Sequence, residues 1–176
     1  MNFYVDIVKE NACKEVSFLL KKCAFFHYRK HTETVIFCIG SDRITGDCLG
    51  PYVGRQLSPY QDKFHHVYGT LKYPIHACNI EIAKQLILAR HPQALIIAVD
   101  ASMGQKKHLG HIAVKNGPVY PGAGVQKSLS PIGDISVTGV VGTAGFLEQF
   151  SLQTTRLSSV MTLGDIITQG ILDAFF

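Results

Sequence analysis

Three observations in this sequence predict an α/β protein, a three-layer α/β/α sandwich with a mostly parallel central sheet. Two apolar, β-branched runs, Val35-Ile36-Phe37-Cys38-Ile39 and Ala94-Leu95-Ile96-Ile97-Ala98-Val99, have the length and character of strands buried on both faces. Segments with helical spacing of apolar residues alternate with such runs, the pattern of β-α-β crossovers. The chain has 176 residues, 47% of them hydrophobic and 17% charged, which suits one domain with a substantial core.

The elements follow in order. Residues 1–31 are expected to form a basic amphipathic helix outside a core of residues 35–176. Apolar positions Ala12, Val16, Leu19, Leu20, Cys23 and Phe26 share a helical face. Lys9, Lys14, Lys21, Lys22, Arg29 and Lys30 face only Asp6, Glu10 and Glu15 in charge, so this segment carries +3 of the chain's +4. Nucleic-acid or membrane binding would need denser basic residues with interleaved aromatics, and the chain has no Trp. A solvated basic face is the simpler expectation, with neither nucleic acid nor membrane as partner.

Strand 35–39 leads into a glycine-bracketed loop, Gly40 to Gly50, after which Pro51 opens a short helix near 51–58, where its missing N–H costs nothing. Phe64 to Tyr68 reads as a strand on which His65 and His66 point to opposite faces and cannot share one metal. Asn79 is placed to cap a helix over 80–90, which Pro92 ends before strand 94–99. Gly110 to Val114 alternates like an outer strand, 118–125 is rich in turn residues, and Ile135 to Val141 is another β-branched run. From about Thr143 the spacing is helical. No repeat or linker divides the chain.

The loop carries chemistry. A strand–loop–helix crossover commonly cradles phosphate, but this loop holds two carboxylates, Asp42 and Asp47, and lacks the G-x-x-x-x-G-K-[ST] pattern. It would repel an anion and instead suits a carboxylate that does chemistry or grips a metal. Asp100 ends the other buried run. If the two runs are parallel neighbours, Asp47 and Asp100 face one crevice at the carboxyl edge of the sheet; each is equally consistent with a solvated or capping role. Asp42, beside Arg43, has a salt-bridged or capping role as its simplest explanation. Cys48 adjoins Asp47, whose charge opposes thiolate formation. The five cysteines form no C-x-x-C pair and fit a reducing compartment. The N-terminus lacks signal-peptide features and no apolar stretch approaches a bilayer span, so a cytoplasmic location is expected.

Taken in order, the run Phe37 to Pro51 closely resembles the signature of the YyaC-type sporulation proteins, a family to which a spore protease activity is attributed. The resemblance continues through Gly69-Thr70-Leu71, Pro74-Ile75-His76-Ala77, Val99-Asp100-Ala101, Pro121-Gly122-Ala123-Gly124-Val125, Gly133 to Gly139 and Thr155-Arg156-Leu157, covering roughly residues 35–170. That family in turn resembles the spore germination protease, an atypical aspartic endopeptidase of small acid-soluble spore proteins. Its motifs correspond to Asp47-Cys48-Leu49-Gly50-Pro51, Val99-Asp100-Ala101 and Pro121 to Val125, so its two catalytic aspartates would fall on Asp47 and Asp100. The same fold is shared with hydrogenase-maturation endopeptidases, whose corresponding acids, with a histidine, bind the substrate's nickel.

The resemblance implies a sporulation-associated endopeptidase in the forespore or mother-cell cytoplasm, with a protein or peptide substrate such as a small acid-soluble spore protein. Asp42, Gly46, His76, Gly122 and Gly124 are the candidates for substrate contact, the glycines either admitting a substrate to backbone N–H groups or simply making turns. The chain departs from the pattern in two ways. It is about half the germination protease's size, and residues 121–134 contain no histidine where the hydrogenase-type ligand would lie. His76 is the one available substitute, although a capping or surface role is the ordinary one for such a histidine. No resident cofactor is therefore implied, though a divalent metal at Asp47 and Asp100 is compatible with the sequence. The rival readings are a catalytically silent binding or scaffold protein of sporulation on the same fold, and a hydrolase resembling peptidyl-tRNA hydrolase, whose Asn-His-Asp group is not evident.

Overall fold

The computed structural model describes residues 2–27, 31–122, 129–145 and 148–176. Its strands are β1 (Asn2–Asp6), β2 (Glu33–Cys38), β3 (His65–Tyr68), β4 (Ala94–Gly104), β5 (His111–Asn116) and β6 (Ile135–Thr143). Its helices are α1 (Ala12–Phe25), α2 (Leu49–Leu57), α3 (Ile80–Arg90), α4 (Glu148–Thr154) and α5 (Leu157–Phe175). The strands form one sheet in the order β1-β5-β6-β4-β2-β3. β3, β2, β4 and β6 run parallel, and β5 and β1 close the other edge antiparallel.

Alternation along the central strands builds two cores. Ile36 and Cys38 of β2 join Leu95, Ile97 and Val99 of β4 beneath α1, α2 and α5. Val35, Phe37 and Ile39 join Ala94, Ile96 and Ala98 on the opposite face, under α3 and the segment around Ile132. Both faces of these strands are covered, which is why the sequence shows continuous apolar runs rather than alternation. The three-layer expectation is met.

The N-terminal segment differs from expectation. Residues 2–6 form the edge strand β1, paired with β5 from Asn2↔Lys115 to Asp6↔His111, so the first residues complete the sheet rather than extend a helix. α1 then packs its Ala12, Val16, Leu19, Leu20 and Cys23 into the larger core, making it part of the sandwich, while Phe26 beyond its end is 65% exposed. α2 starts two residues before Pro51, which falls in the first turn where helix N–H groups have no intrahelical partner. Asn79 sits at the start of α3 without capping it. Its Oδ1 accepts the His76 backbone N–H at 2.8 Å and its Nδ2 donates to the Pro74 carbonyl at 3.1 Å, clasping the 74–79 loop instead.

β4 continues five residues past Val99. Asp100 and Ser102 interrupt the apolar run, but the ladder to β6 goes on, with Asp100 opposite Thr138 and a register shift between Ser102 and Met103. His65 and His66 do face opposite ways: His65 bonds Asp62 and lies against Phe176, whereas His66 bonds Glu33. The five cysteines are all free thiols. No helix among the described residues is long and apolar enough to cross a membrane.

Candidate active site

β2 and β4 are parallel neighbours, and the chain leaving each reaches the same crevice. After β2, Ile39 still donates its N–H to Val99 and Gly40 donates to the Ile75 carbonyl, both at 2.8 Å. The chain then doubles back. Gly40 has φ +138°, and a Cβ there would lie 2.0 Å from the Asp47 carbonyl oxygen. Only glycine permits that close return. The Ser41 N–H bonds the Asp47 carbonyl at 3.2 Å, and the Asp47 N–H bonds the Ile44 carbonyl at 3.0 Å, forming a 3₁₀ turn, Gly46–Cys48, directly ahead of α2. Asp47 is thereby fixed beside the carboxyl edge of the sheet despite standing nine residues beyond β2.

Asp100 lies on the α3 face of β4, in alternation with Ala94, Ile96 and Ala98, and is only 7% exposed. Its Oδ1 accepts the Ala101 N–H at 2.8 Å. A cavity of about 90 Å³ takes in Asp47, Asp100, His76, Gly40, Pro121 and Gly122. Its apolar wall comes from Ile39, Ile44, Ile80, Met103, Leu129 and Leu152, several of them from elements remote in sequence.

That wall sets the electrostatics. Burial raises the Asp47 pKa above the ordinary carboxylate value, opposed by the Ser41 N–H and the nearby His76. Burial raises Asp100 well above its ordinary value, the Asp47 charge adds to this, and the Ala101 N–H offsets part of it. Two carboxyls in one poorly solvated space cannot both ionise without mutual cost, and the stronger upward shift falls on the more enclosed Asp100.

His76 also lines the cavity and is half-buried, its Nδ1 accepting the Cys78 N–H at 3.3 Å, which leaves Nε2 to carry the ring proton. Gly122 borders the cavity at φ +104°. Gly124 lies outside the described residues. Asp42 is exposed and does not line the cavity. Gly46 is buried beneath α4, where a Cβ would stand 2.8 Å from the Leu152 carbonyl oxygen, so its smallness serves packing. Cys48 donates its thiol to the Thr45 carbonyl at 3.0 Å, and burial followed by the Asp47 charge raises its pKa, which keeps it an inert thiol.

Among the described residues, the clusters of His, Cys, Asp or Glu with three candidate atoms within 4.8 Å of one another lie elsewhere. The described side chains around Asp47 and Asp100 do not by themselves make a preformed three-ligand centre, and the chemistry derived below uses the carboxyls alone.

The chain belongs to the family described as "Protein of unknown function (DUF1256)", whose model matches residues 4–170 and so includes residues 4–6 of β1 and all of α1 as well as the core. It is 45% identical over 137 residues to the "Uncharacterized protein YyaC" of Bacillus subtilis (strain 168), covering 78% of this chain and 67% of that one. Among solved structures it is similar to the [NiFe] hydrogenase maturation protease HycI from Thermococcus kodakarensis KOD1, with a TM-score of 0.47 and 14% identity over 85% of this chain and 98% of that one.

Proposed function

We propose that this YyaC-like chain is an endopeptidase whose working pair is Asp47 and Asp100. The observation that carries the reading is the shared cavity: Asp47 from the loop after β2 and Asp100 from the neighbouring parallel strand β4 line one largely apolar space, with burial first and then the Asp47 charge raising the Asp100 pKa. That asymmetry supplies one base and one acid at the same pH.

Asp47, ionised first, takes a proton from a water as that water attacks the scissile carbonyl carbon. Asp100, still protonated, donates to the carbonyl oxygen as it gains charge. The tetrahedral species then collapses: Asp47 gives the water's proton to the amine leaving group, and Asp100 takes back the proton from the former carbonyl oxygen as C=O re-forms and the C–N bond breaks. A cavity of about 90 Å³ holds a few waters or one small side chain, so the peptide must lie across its mouth rather than thread through it. His76, Pro121 and Gly122 also line the cavity and are the groups available to grip the peptide. The resemblance to sporulation proteins makes small acid-soluble spore proteins the first substrates to try.

The test is digestion of those proteins with products read by mass spectrometry, comparing the unaltered chain with Asp47→Asn and Asp100→Asn. Discrete cuts that fall by about 10²–10⁴-fold in each folded variant are expected for loss of an acid or base. If no form cuts, with or without added divalent metal, the silent binding or scaffold reading takes its place.

A further inference from the structure

A second cluster of titratable side chains stands at the other end of the sheet, where the parallel strands begin. Glu33 opens β2, His66 is the second residue of β3, and His91 follows α3. One carboxylate oxygen, Glu33 Oε2, lies 2.9 Å from His66 Nε2 and 2.8 Å from His91 Nδ1. The two rings lie close, with centroids 4.2 Å apart and planes tilted by 33°. His91 is 5% exposed, and its remaining nitrogen, Nε2, lies 2.8 Å from the Tyr68 hydroxyl. The candidate ligand atoms of Glu33, His66 and His91 all fall within 4.8 Å of one another.

We propose that Glu33, His66 and His91 bind a divalent transition-metal ion of the zinc type, separate from the Asp47–Asp100 cavity. Two imidazoles and one carboxylate are a borderline nitrogen–oxygen donor set, suited to zinc and its neighbours rather than to magnesium or calcium, which prefer all-oxygen shells. The ion takes the place of the two ring protons now directed at Glu33. For a neutral His91 the proton moves from Nδ1 to Nε2, where it is donated to the Tyr68 hydroxyl; for His66 it moves from Nε2 to Nδ1. No proton is gained or lost by neutral rings in this exchange, and a charged ring releases one.

The Tyr68 contact distinguishes this arrangement from a chance pair of histidines. A metal-ligating histidine ordinarily anchors its other nitrogen, which fixes the tautomer and the ring's aim. Here the buried ring has that anchor already. Glu33 and His66 are each partly exposed, at 21% and 22%, which leaves an ion a way in and a fourth position for water. The three ligands come from β2, the edge strand β3 and the α3–β4 connection, so a bound ion fastens the sheet's short edge to α3.

Equilibrium dialysis of the full chain against Zn²⁺, paired with the visible spectrum of the Co²⁺ form, tests this. One Zn²⁺ should bind, raise the melting temperature, and be lost in both Glu33→Gln and His66→Gln, whose partly exposed positions make them safer variants for folding than the buried His91. Tyr68→Phe should weaken binding about 10–100-fold. His27→Gln, at the other three-residue cluster (His27, His31, Asp134), and Asp47→Asn should leave that ion in place. Failure of the folded chain to take up Zn²⁺, or uptake unaffected by Glu33→Gln and His66→Gln, would overturn the proposal and leave the cluster as a hydrogen-bonded staple. Neither result bears on the aspartate pair, whose own assay is proteolysis.

Discussion

Asp100→Asn should stop peptide cleavage and at the same time stabilise the fold at high pH. The two effects have one origin. Asp100 is buried within β4, with the Asp47 carboxyl acting on it across the cavity, and its pKa is driven well above the ordinary value first by burial and then by that charge. A carboxyl whose folded pKa exceeds its unfolded one binds its proton more tightly in the native state. Between the two values the native state holds more protons than the unfolded chain, so stability falls as pH rises. The stabilising contribution is complete below the unfolded pKa and lost on passing through the folded one. Asparagine keeps an oxygen for the Ala101 N–H but cannot ionise, so this decline should vanish. Melting temperature measured against pH should fall across that window for the unaltered chain and lie flatter for Asp100→Asn. A purely structural Asp100 would give a destabilised variant at every pH.

Gly40→Ala should be the most damaging small substitution near the site. The added methyl would stand 2.0 Å from a backbone carbonyl of the loop that carries Asp47, and the residue would have to hold φ +138°. Neither obstacle can be relieved by turning a side chain. Overpacking costs about 1–3 kcal/mol and a disfavoured backbone region a further 1–3 kcal/mol, so a loss of about 2–6 kcal/mol is expected by urea denaturation. Any folded fraction should have lost the return of the loop and with it cleavage. A loss under about 1 kcal/mol would mean that the loop does not need this close approach.

The sequence made the central strands legible because burial on both faces leaves unbroken β-branched runs, as at 35–39 and 94–99. The parallel pairing of those runs explains why Asp47 and Asp100 could be named as one crevice's acids. Other features depend on partners distant in the chain. β1 is only five residues long and is a strand because β5 pairs with it. β4 runs on past Asp100 because β6 continues the ladder, against the local loss of apolar residues. The apolar wall that tunes the acids includes Ile44, Leu129 and Leu152, which no local pattern connects. Glu33, His66 and His91 are separated in sequence by whole elements and meet only when β2, β3 and the end of α3 are side by side. Whether Gly46 exposes backbone to a substrate or only makes a turn was open in the sequence, because its close neighbour, Leu152 of α4, lies more than a hundred residues away.

Carbon-13 NMR titration of Asp-carboxyl-labelled protein tests the pair most directly. Asp100 should remain protonated well above the usual carboxylate range, and its titration should move to lower pH in Asp47→Asn, because the neighbouring charge has been removed. Two aspartates that titrate independently near their ordinary values, unchanged by either substitution, would contradict a shared-proton site and the hydrolytic mechanism built on it.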